Sequence, residues 1–297
     1  MNHHIGCHRI KYRQLGNIML DNVCDYIAQW VEDNLDTGKN INDLIEDIGY
    51  SRKTVEVWFL NKYGVNIGEY LFKRRMSRAS VLLKLTHLTI TEIATLLHYS
   101  SSQNFARTFK RFSNKSPTEY RNSEAWDVTT LQHSFLYEFD IKNATRSTIS
   151  SIFFHGVSYK INESFLYRNK TQDKKSLQYL IKNLLNEKKH DILVCISEFN
   201  SIDLDKSRKG IVNTLIKAGE VLNKTQEAVA VMPGGEYYHC GFHGGWQEYH
   251  LFTFSFFIAV AREEKSIIKN KKYYINFHYS PGDATNFINC TMYIPLA

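Results

Sequence analysis

Apolar side chains recur at helical spacing through the first part of the chain and then give way to alternation. Ile18, Val23, Tyr26, Ile27, Trp30 and Val31 predict a helix over Asn17–Leu35, ended by Thr37-Gly38-Lys39-Asn40. Leu44, Ile45 and Ile48 mark one face of a short helix over Asn42–Ile48. Gly49-Tyr50 makes a tight turn, and Ser51 is placed to cap a second helix to about Lys62, with Val55 and Phe59 as its inward pair. Two short helices joined by a brief turn containing Gly have the form of a helix-turn-helix unit.

The device repeats. Thr91 is the expected cap of a helix with Ile93, Ala94 and Leu97 inward. His98-Tyr99-Ser100 turns the chain, and a further helix spans about Ser102–Phe112 with Phe105 and Phe109 inward. Ser51, Val55 and Phe59 map onto Ser101, Phe105 and Phe109 fifty residues on, whereas Tyr50 maps onto Tyr99. Between the units lies a longer helix, Ile67–Leu85, carrying Lys73, Arg74, Arg75 and Arg78. Two units on a stiff connector can offer two helices to successive turns of one DNA face.

Beyond a boundary at Asn122–Thr130 the period falls to two. Phe135, Tyr137 and Phe139 predict a strand over Leu131–Ile141, and Ser151–Ile161 a second. Leu177, Leu180, Ile181, Leu184 and Leu185 predict an amphipathic helix over Asp173–Lys189. Ile192–Phe199 and Ile211–Ala218 read as strands. Ala228–Val231 and Glu236–Phe242 read as strand segments around Pro233-Gly234-Gly235. An apolar helix over Trp246–Arg262 follows, then strands Lys272–Tyr279 and Phe287–Pro295 about a Pro281-Gly282-Asp283 turn. The expected fold has two domains. An all-α N-terminal domain holds two helix-turn-helix units, and an α+β C-terminal domain holds two similar halves. The divisions are 1–17 as a disordered extension, 18–122, a linker at 123–130, and 131–297.

Charge sharpens this division. The 297 residues carry 37 Lys and Arg against 30 Asp and Glu. Residues 17–50 hold one basic residue and eight acids, residues 51–121 thirteen basic and four acidic, and residues 126–297 twenty and seventeen. The basic excess falls on the paired units and their connector, as polyanion binding requires, and the acidic run before them is expected to face away from DNA. A content of 43% hydrophobic and 23% charged residues excludes a wholly disordered chain. The five cysteines, Cys7, Cys24, Cys195, Cys240 and Cys290, are odd in number and lack C-x-x-C, so neither a disulfide framework nor a zinc ribbon is indicated. The uncharged run Tyr249–Ala261 is short for a membrane span, and the N-terminus lacks the apolar stretch of a signal peptide. A cytoplasmic, nucleoid-associated protein is expected, with no membrane partner and no cofactor.

Residues 18–122 resemble the DNA-binding domain of the AraC/XylS transcription regulators, in the branch containing Rob, MarA and SoxS. The resemblance rests on Gly49-Tyr50-Ser51, Phe59, Gly68-Glu69-Tyr70, Arg74-Arg75-Met76-Ser77-Arg78-Ala79, Ile93-Ala94, Tyr99-Ser100, Gln103, Phe105, Arg107, Phe109-Lys110-Arg111 and Ser116-Pro117-Thr118-Glu119-Tyr120-Arg121. It implies that Ser102, Gln103, Asn104 and Arg107 meet DNA. Asn and Gln can pair with adenine and Arg with guanine. Lys110 and Arg111 fall where phosphates are held. Arg52, Lys53, Thr54, Glu56 and Lys62 are the candidates in the first unit, which departs from the branch. Lys53 and Glu56-Val57 stand where the branch has Trp and Gln-Arg. Glu56 can accept from a cytosine amino group or repel phosphate. The resemblance further implies an activator that binds double-stranded promoter DNA as a monomer and recruits RNA polymerase.

Residues 131–297 resemble the effector-binding domain related to the DNA gyrase inhibitory protein, through Gly234-Gly235-Glu236-Tyr237, Gly244-Gly245-x-Gln247-Glu248-Tyr249, Gly282-Asp283 and Cys290-x-x-x-Ile294-Pro295-Leu296. That domain implies an aromatic-lined cleft between the halves, with Tyr237, Trp246, Tyr249, Thr291 and Tyr293 as candidates. Relatives that bind cationic drugs place Glu at the position of Thr291. A hydroxyl is a poor partner for a desolvated cation, so a neutral or anionic amphiphile is expected. His239-Cys240-x-x-His243 with His250 lies on a strand and loop, where this spacing does not converge on a metal. His3, His4, Cys7 and His8 precede the first matched helix. No nucleophile motif or phosphate loop occurs, so catalysis ranks last. A ligand-sequestering protein with only non-specific DNA affinity is the alternative to a regulator.

Overall fold

The structure is a computed structural model. It describes residues 21–124, 126–137, 139–164, 176–199, 211–222, 230–264, 272–280 and 287–296. The expected extension 1–17, with its His and Cys cluster, and the Pro281-Gly282-Asp283 turn lie outside these residues.

The helical part opens with α1 (residues 21–33). It continues through α2 (Ile41–Ile48), α3 (Arg52–Tyr63), α4 (Ile67–Leu85), α5 (Ile90–Leu96), α6 (Ser102–Ser113) and α7 (Pro117–Asn122). Side chains set most of the boundaries. Asn40, Ser51, Asn66, Ser101 and Ser116 each accept a backbone N–H of the helix they open. α5 begins two residues earlier than its expected cap. Thr89, not Thr91, is the cap, because Glu92 three residues on returns a hydrogen bond to the Thr89 N–H at 2.7 Å. Gly49 closes α2 at φ 73°, a left-handed conformation that glycine adopts without steric penalty. The second turn uses His98 in the same region, at φ 58°.

Each unit has its own core. Ile27, Trp30, Leu44, Val55, Phe59 and Tyr70 are buried around α3, and Leu82, Ile93, Phe105, Phe109 and Tyr120 around α6. The connector serves both, through Tyr70 and Leu71 in one and Met76, Ala79, Leu82 and Leu83 in the other.

Among the described residues of Leu131–Ile141 no strand forms. The alternating aromatics there go to two separate cores rather than to two faces of a sheet. Phe135 lies face to face with Tyr63 and with Tyr70, both at 4.3 Å between centroids. Tyr137 and Phe139 pack instead on Phe252 at 5.8 Å each. Hydrogen bonds from α4 and from α9 tie the start of this strap. Arg74 Nη1 donates to the Gln132 carbonyl at 2.6 Å, and Gln132 N–H donates to Ser77 Oγ at 2.8 Å. Arg262 donates to the carbonyls of Thr129 and Leu131 at 3.0 and 2.7 Å.

The rest is a nine-stranded sheet with two helices. In chain order come β1 (Thr145–Ile149), β2 (Ile152–Phe154), β3 (Val157–Ser164), α8 (Leu177–Lys188), β4 (Ile192–Phe199), β5 (Ile211–Leu222), β6 (Ala230–Met232), β7 (Gly235–Gly245), α9 (Trp246–Glu263), β8 (Tyr273–Phe277) and β9 (Phe287–Pro295). The order across the sheet is β1-β7-β9-β8-β4-β5-β2-β6, with β3 also on β5, and the pairings are antiparallel. The strand expected over Ser151–Ile161 is split at His155-Gly156. Gly219 passes so close there that a Cβ on it would lie 1.8 Å from the His155 carbonyl oxygen. Ile192, Val194, Ile275, Phe277, Cys290 and Met292 face α8 and α9. Leu193, Cys195, Tyr237 and Tyr274 face the other way, with Phe154 and Met232.

Candidate nucleic-acid interface and effector face

A depression of about 340 Å³ lies between the two units, lined by Asn40, Asn42, Arg52, Leu71, Arg75 and Tyr99. Arg52 is the first residue of α3, and Tyr99 lies in the turn before the Ser101 cap of α6.

On α6, Gln103, Asn104, Arg107, Lys110 and Arg111 are exposed and Ser102 is half-buried, while Phe105 and Phe109 anchor the helix from beneath. Asn104 Nδ2 donates to Ser100 Oγ at 3.2 Å, and Ser102 Oγ to Gln103 Oε1 at 3.3 Å. Arg107, Lys110 and Arg111 form no ion pair among the described residues.

α3 is different. Arg52 Nε pairs with Glu56 Oε1 at 2.8 Å, and Arg52 Nη1 donates to Asn42 Oδ1 at 3.3 Å. Thr54 Oγ1 is 2.8 Å from Ser51 Oγ, within the cap. Lys53 is exposed and unpaired among the described residues. Lys62 does not join the group. Its ammonium meets Asp25 at 2.7 Å and Asp21 at 3.3 Å, so it fastens α3 to α1. Burial pulls the Lys62 pKa down, but Asp25 and then Asp21 outweigh it and the net shift is upward.

The basic connector is likewise turned inward. Arg74 Nε and Nη2 grip both oxygens of Glu32 at 2.6 and 2.8 Å, with each residue 5% exposed. Arg78 meets Asp36 at 3.3 Å, and Lys73 meets Glu69 at 2.8 Å. Arg75 donates to the carbonyls of Leu35, Asn34 and Lys39. Thus the acidic run does not simply face away from DNA. Glu32 and Asp36 are the counter-charges of the connector, because burying a guanidinium requires a paired carboxylate. Arg52 and Lys53 at the start of α3 and Arg107, Lys110 and Arg111 on α6 stay outward.

The ligand candidates divide between two faces. Trp246 and Tyr249 lie in the core between sheet and helices, 5.4 Å apart between ring centroids. Trp246 also borders a small cavity of about 80 Å³ with Leu185, Phe277 and Asn289. Tyr237, Tyr293 and Thr291 lie on the opposite face. Tyr237 donates to the Pro233 carbonyl at 2.7 Å, and Tyr293 stacks on His239 at 5.7 Å. Thr291 ends a polar relay that no sequence motif signals. Its Oγ1 is 2.9 Å from His278 Nε2, and His278 Nδ1 is 2.8 Å from Asp191 Oδ2. Burial raises the Asp191 pKa, but hydrogen bonds from the Tyr279 N–H, His278 and Asn276 hold it below its usual value. An ionised carboxylate only accepts, so His278 Nδ1 carries the proton that it donates to Asp191. Alternation along β7 puts His239 and His243 on one side and Cys240 on the other. The described cysteines Cys24, Cys195, Cys240 and Cys290 are all buried thiols. Among the described residues no helix is long and apolar enough to cross a membrane.

Two capped helix-turn-helix units on one connector, with exposed Gln103, Asn104, Arg107, Lys110 and Arg111 on the second helix of the second unit, are the architecture of a DNA-binding regulator. Sequence comparison agrees. Residues 44–123 match the helix-turn-helix domain family. The chain is 37% identical over 124 residues to the putative HTH-type transcriptional regulator YkgA of Escherichia coli K12, covering 42% of this chain and 52% of that protein. It is 30% identical over 115 residues to the HTH-type transcriptional activator AarP of Providencia stuartii, covering 39% of this chain and 85% of that protein. Identity to the transcriptional regulator Rob of Salmonella typhimurium is 33% over 99 residues, a third of each chain. The protein belongs to the AraC family of helix-turn-helix transcription regulators. The chain spans about half the length of YkgA, and the family match stops at residue 123.

Proposed function

We propose that the protein is a sequence-specific transcription regulator, an activator, that responds to a small amphiphilic ligand. The observation that carries the DNA-binding part is α6, a capped helix with exposed Gln103, Asn104 and Arg107. Lys110 and Arg111 add phosphate contacts, which position the helix. Arg52, Lys53, Thr54 and Glu56 serve the other half-site. Lys62 is withdrawn from that role by its pairing with Asp25. The protein binds double-stranded promoter DNA as a monomer, because one chain already carries both recognition helices, and it recruits RNA polymerase. Footprinting on genomic fragments at physiological salt, with Arg107→Ala as control, tests this. Protection that disappears in the variant supports it. Uniform weak binding with a steep salt slope favours the sequestering alternative, for which the pairing of Arg52 with Glu56 is the supporting observation.

The sensing part rests on a repeated connectivity. β3-α8-β4-β5 and β7-α9-β8-β9 share the order strand, helix, strand, strand, and β4 pairs with β8 between them. We read these as the two similar halves of an effector-binding domain related to the gyrase inhibitory protein. The ligand face is the one opposite α8 and α9, with Tyr237, Thr291 and Tyr293. Trp246 and Tyr249 support it from the core. Thr291 offers a hydroxyl and no carboxylate, so the favoured ligand is the neutral or anionic amphiphile expected from the sequence.

A further inference from the structure

α3 and α6 differ in a way that their shared architecture does not require. The outward residues of α6 are polar throughout. On α3 two large apolar side chains, Val57 and Leu60, stand 47% exposed each. Both lie on the surface that also carries Lys53, one turn before Val57. Of the polar groups near them, Arg52 and Glu56 are already engaged, since Arg52 holds Glu56 at 2.8 Å and Asn42 at 3.3 Å. Exposed valine on the helix that a helix-turn-helix lays in the major groove needs an apolar partner, and the groove offers one kind, the thymine C5-methyl. Val57, in the second turn of α3, is within the N-terminal part that reaches base edges, whereas Leu60 lies a turn further along.

We infer that Val57 reads a thymine methyl, so that the α3 half-site is recognised by apolar contact while α6 reads its half-site by hydrogen bonds. The Arg52–Glu56 pair then serves as a spacer whose net charge is zero, and Lys53 supplies the phosphate contact that holds α3 in register. The inference rests on the regulator reading above. It adds the base class, thymine, to a helix whose outward residues gave no clear polar code.

The test uses the full chain and DNA alone. A site is selected from a random duplex library at fixed salt, and each thymine in the α3 half-site is replaced singly by deoxyuridine, which removes only the methyl. One replacement is expected to weaken binding about fourfold, the worth of one buried methyl group. Val57→Ala is expected to weaken binding to the thymine duplex similarly and to abolish the uracil effect there. Leu60→Ala is expected to leave the uracil effect intact. Val57 is exposed, so far-UV circular dichroism of the variant should match wild type, and the deoxyuridine series needs no variant at all. Insensitivity of every α3 position to uracil overturns the proposal, as does a uracil effect that persists in Val57→Ala. A Val57→Ala variant that binds DNA normally but fails to activate transcription with purified polymerase also overturns it, and assigns this face to a protein. If no sequence is enriched, the regulator reading falls and takes the proposal with it. If a site is enriched and only the uracil series is flat, the regulator reading stands.

Discussion

Replacing Glu32 by Gln separates the structural from the DNA-binding role of the basic connector. The substitution keeps side-chain size and one hydrogen-bond acceptor but removes the carboxylate that pairs with Arg74. The Arg74 guanidinium stays in place, 5% exposed, with its remaining bond to the Gln132 carbonyl. Leaving one member of a buried pair uncompensated costs about 3–5 kcal/mol. A domain of this kind has a total stability of roughly 5–15 kcal/mol, so the helical part should be severely weakened. Urea unfolding followed by tryptophan fluorescence reports on it, since Trp30, Trp58 and Trp126 pack in the helical cores. With a urea slope of about 2 kcal/mol per molar, the midpoint should fall by roughly 2 M. The double variant Glu32→Leu with Arg74→Met removes both charges and should recover most of the loss, because apolar replacement of a buried pair is about neutral or better. It should also bind DNA as wild type does. A cost below about 1 kcal/mol for Glu32→Gln, or a double variant no more stable than the single, would refute the assignment of Glu32 as the counter-charge. Loss of DNA affinity in a fully folded double variant would return Arg74 to the interface.

Three further outcomes follow from the described contacts. Lys110→Ala should lower the slope of log affinity against log salt by about 0.9, whereas Lys62→Ala, already paired with Asp25 and Asp21, should leave that slope unchanged. Phe135→Ala empties the slot between Tyr63 and Tyr70 and should destabilise by about 3–5 kcal/mol in the same urea experiment. Asp191 is held below its usual carboxylate value of 3.8, so its contribution to stability is complete above that value and is lost as pH falls through the lowered one. Thermal melts of wild type should therefore weaken below about pH 4, and Asp191→Asn should remove that part of the acid limb.

The helical half was legible because caps, turns and inward residues are local signals. Ser51 and Ser101 open α3 and α6 as their spacing indicates, and Val55, Phe59, Phe105 and Phe109 are fully buried. The misreadings came from partners distant in sequence. Arg74 and Lys62 look like other basic residues until Glu32 and Asp25, 42 and 37 residues away, are placed against them. Phe135, Tyr137 and Phe139 alternate like a strand, yet each aromatic answers to whichever core lies nearest. β1 escaped notice because Thr145–Ile149 has almost no apolar alternation, consistent with a strand that, among the described residues, pairs on one side with β7 and lies at the edge of the sheet. The relay from Asp191 through His278 to Thr291 joins the residue before β4 and the residue after β8 to the middle of β9, and no spacing rule links them.

The strap between the halves has a thermodynamic consequence. Arg262, at the end of α9, holds its start, and the slot formed by Tyr63 and Tyr70 holds Phe135 only a few residues later. So short a tether leaves little slack to absorb a shift of α9 relative to α3 and α4. Any ligand whose binding favours one position of α9 therefore also biases the seating of the first recognition helix. Such a bias is reciprocal, because the coupling free energy is shared by both binding events. Under the proposed function, a promoter that seats α3 firmly would raise or lower affinity for an effector by the same factor by which that effector alters affinity for the promoter. Two promoters that seat α3 differently would then make the same regulator answer to two different concentrations of one signal.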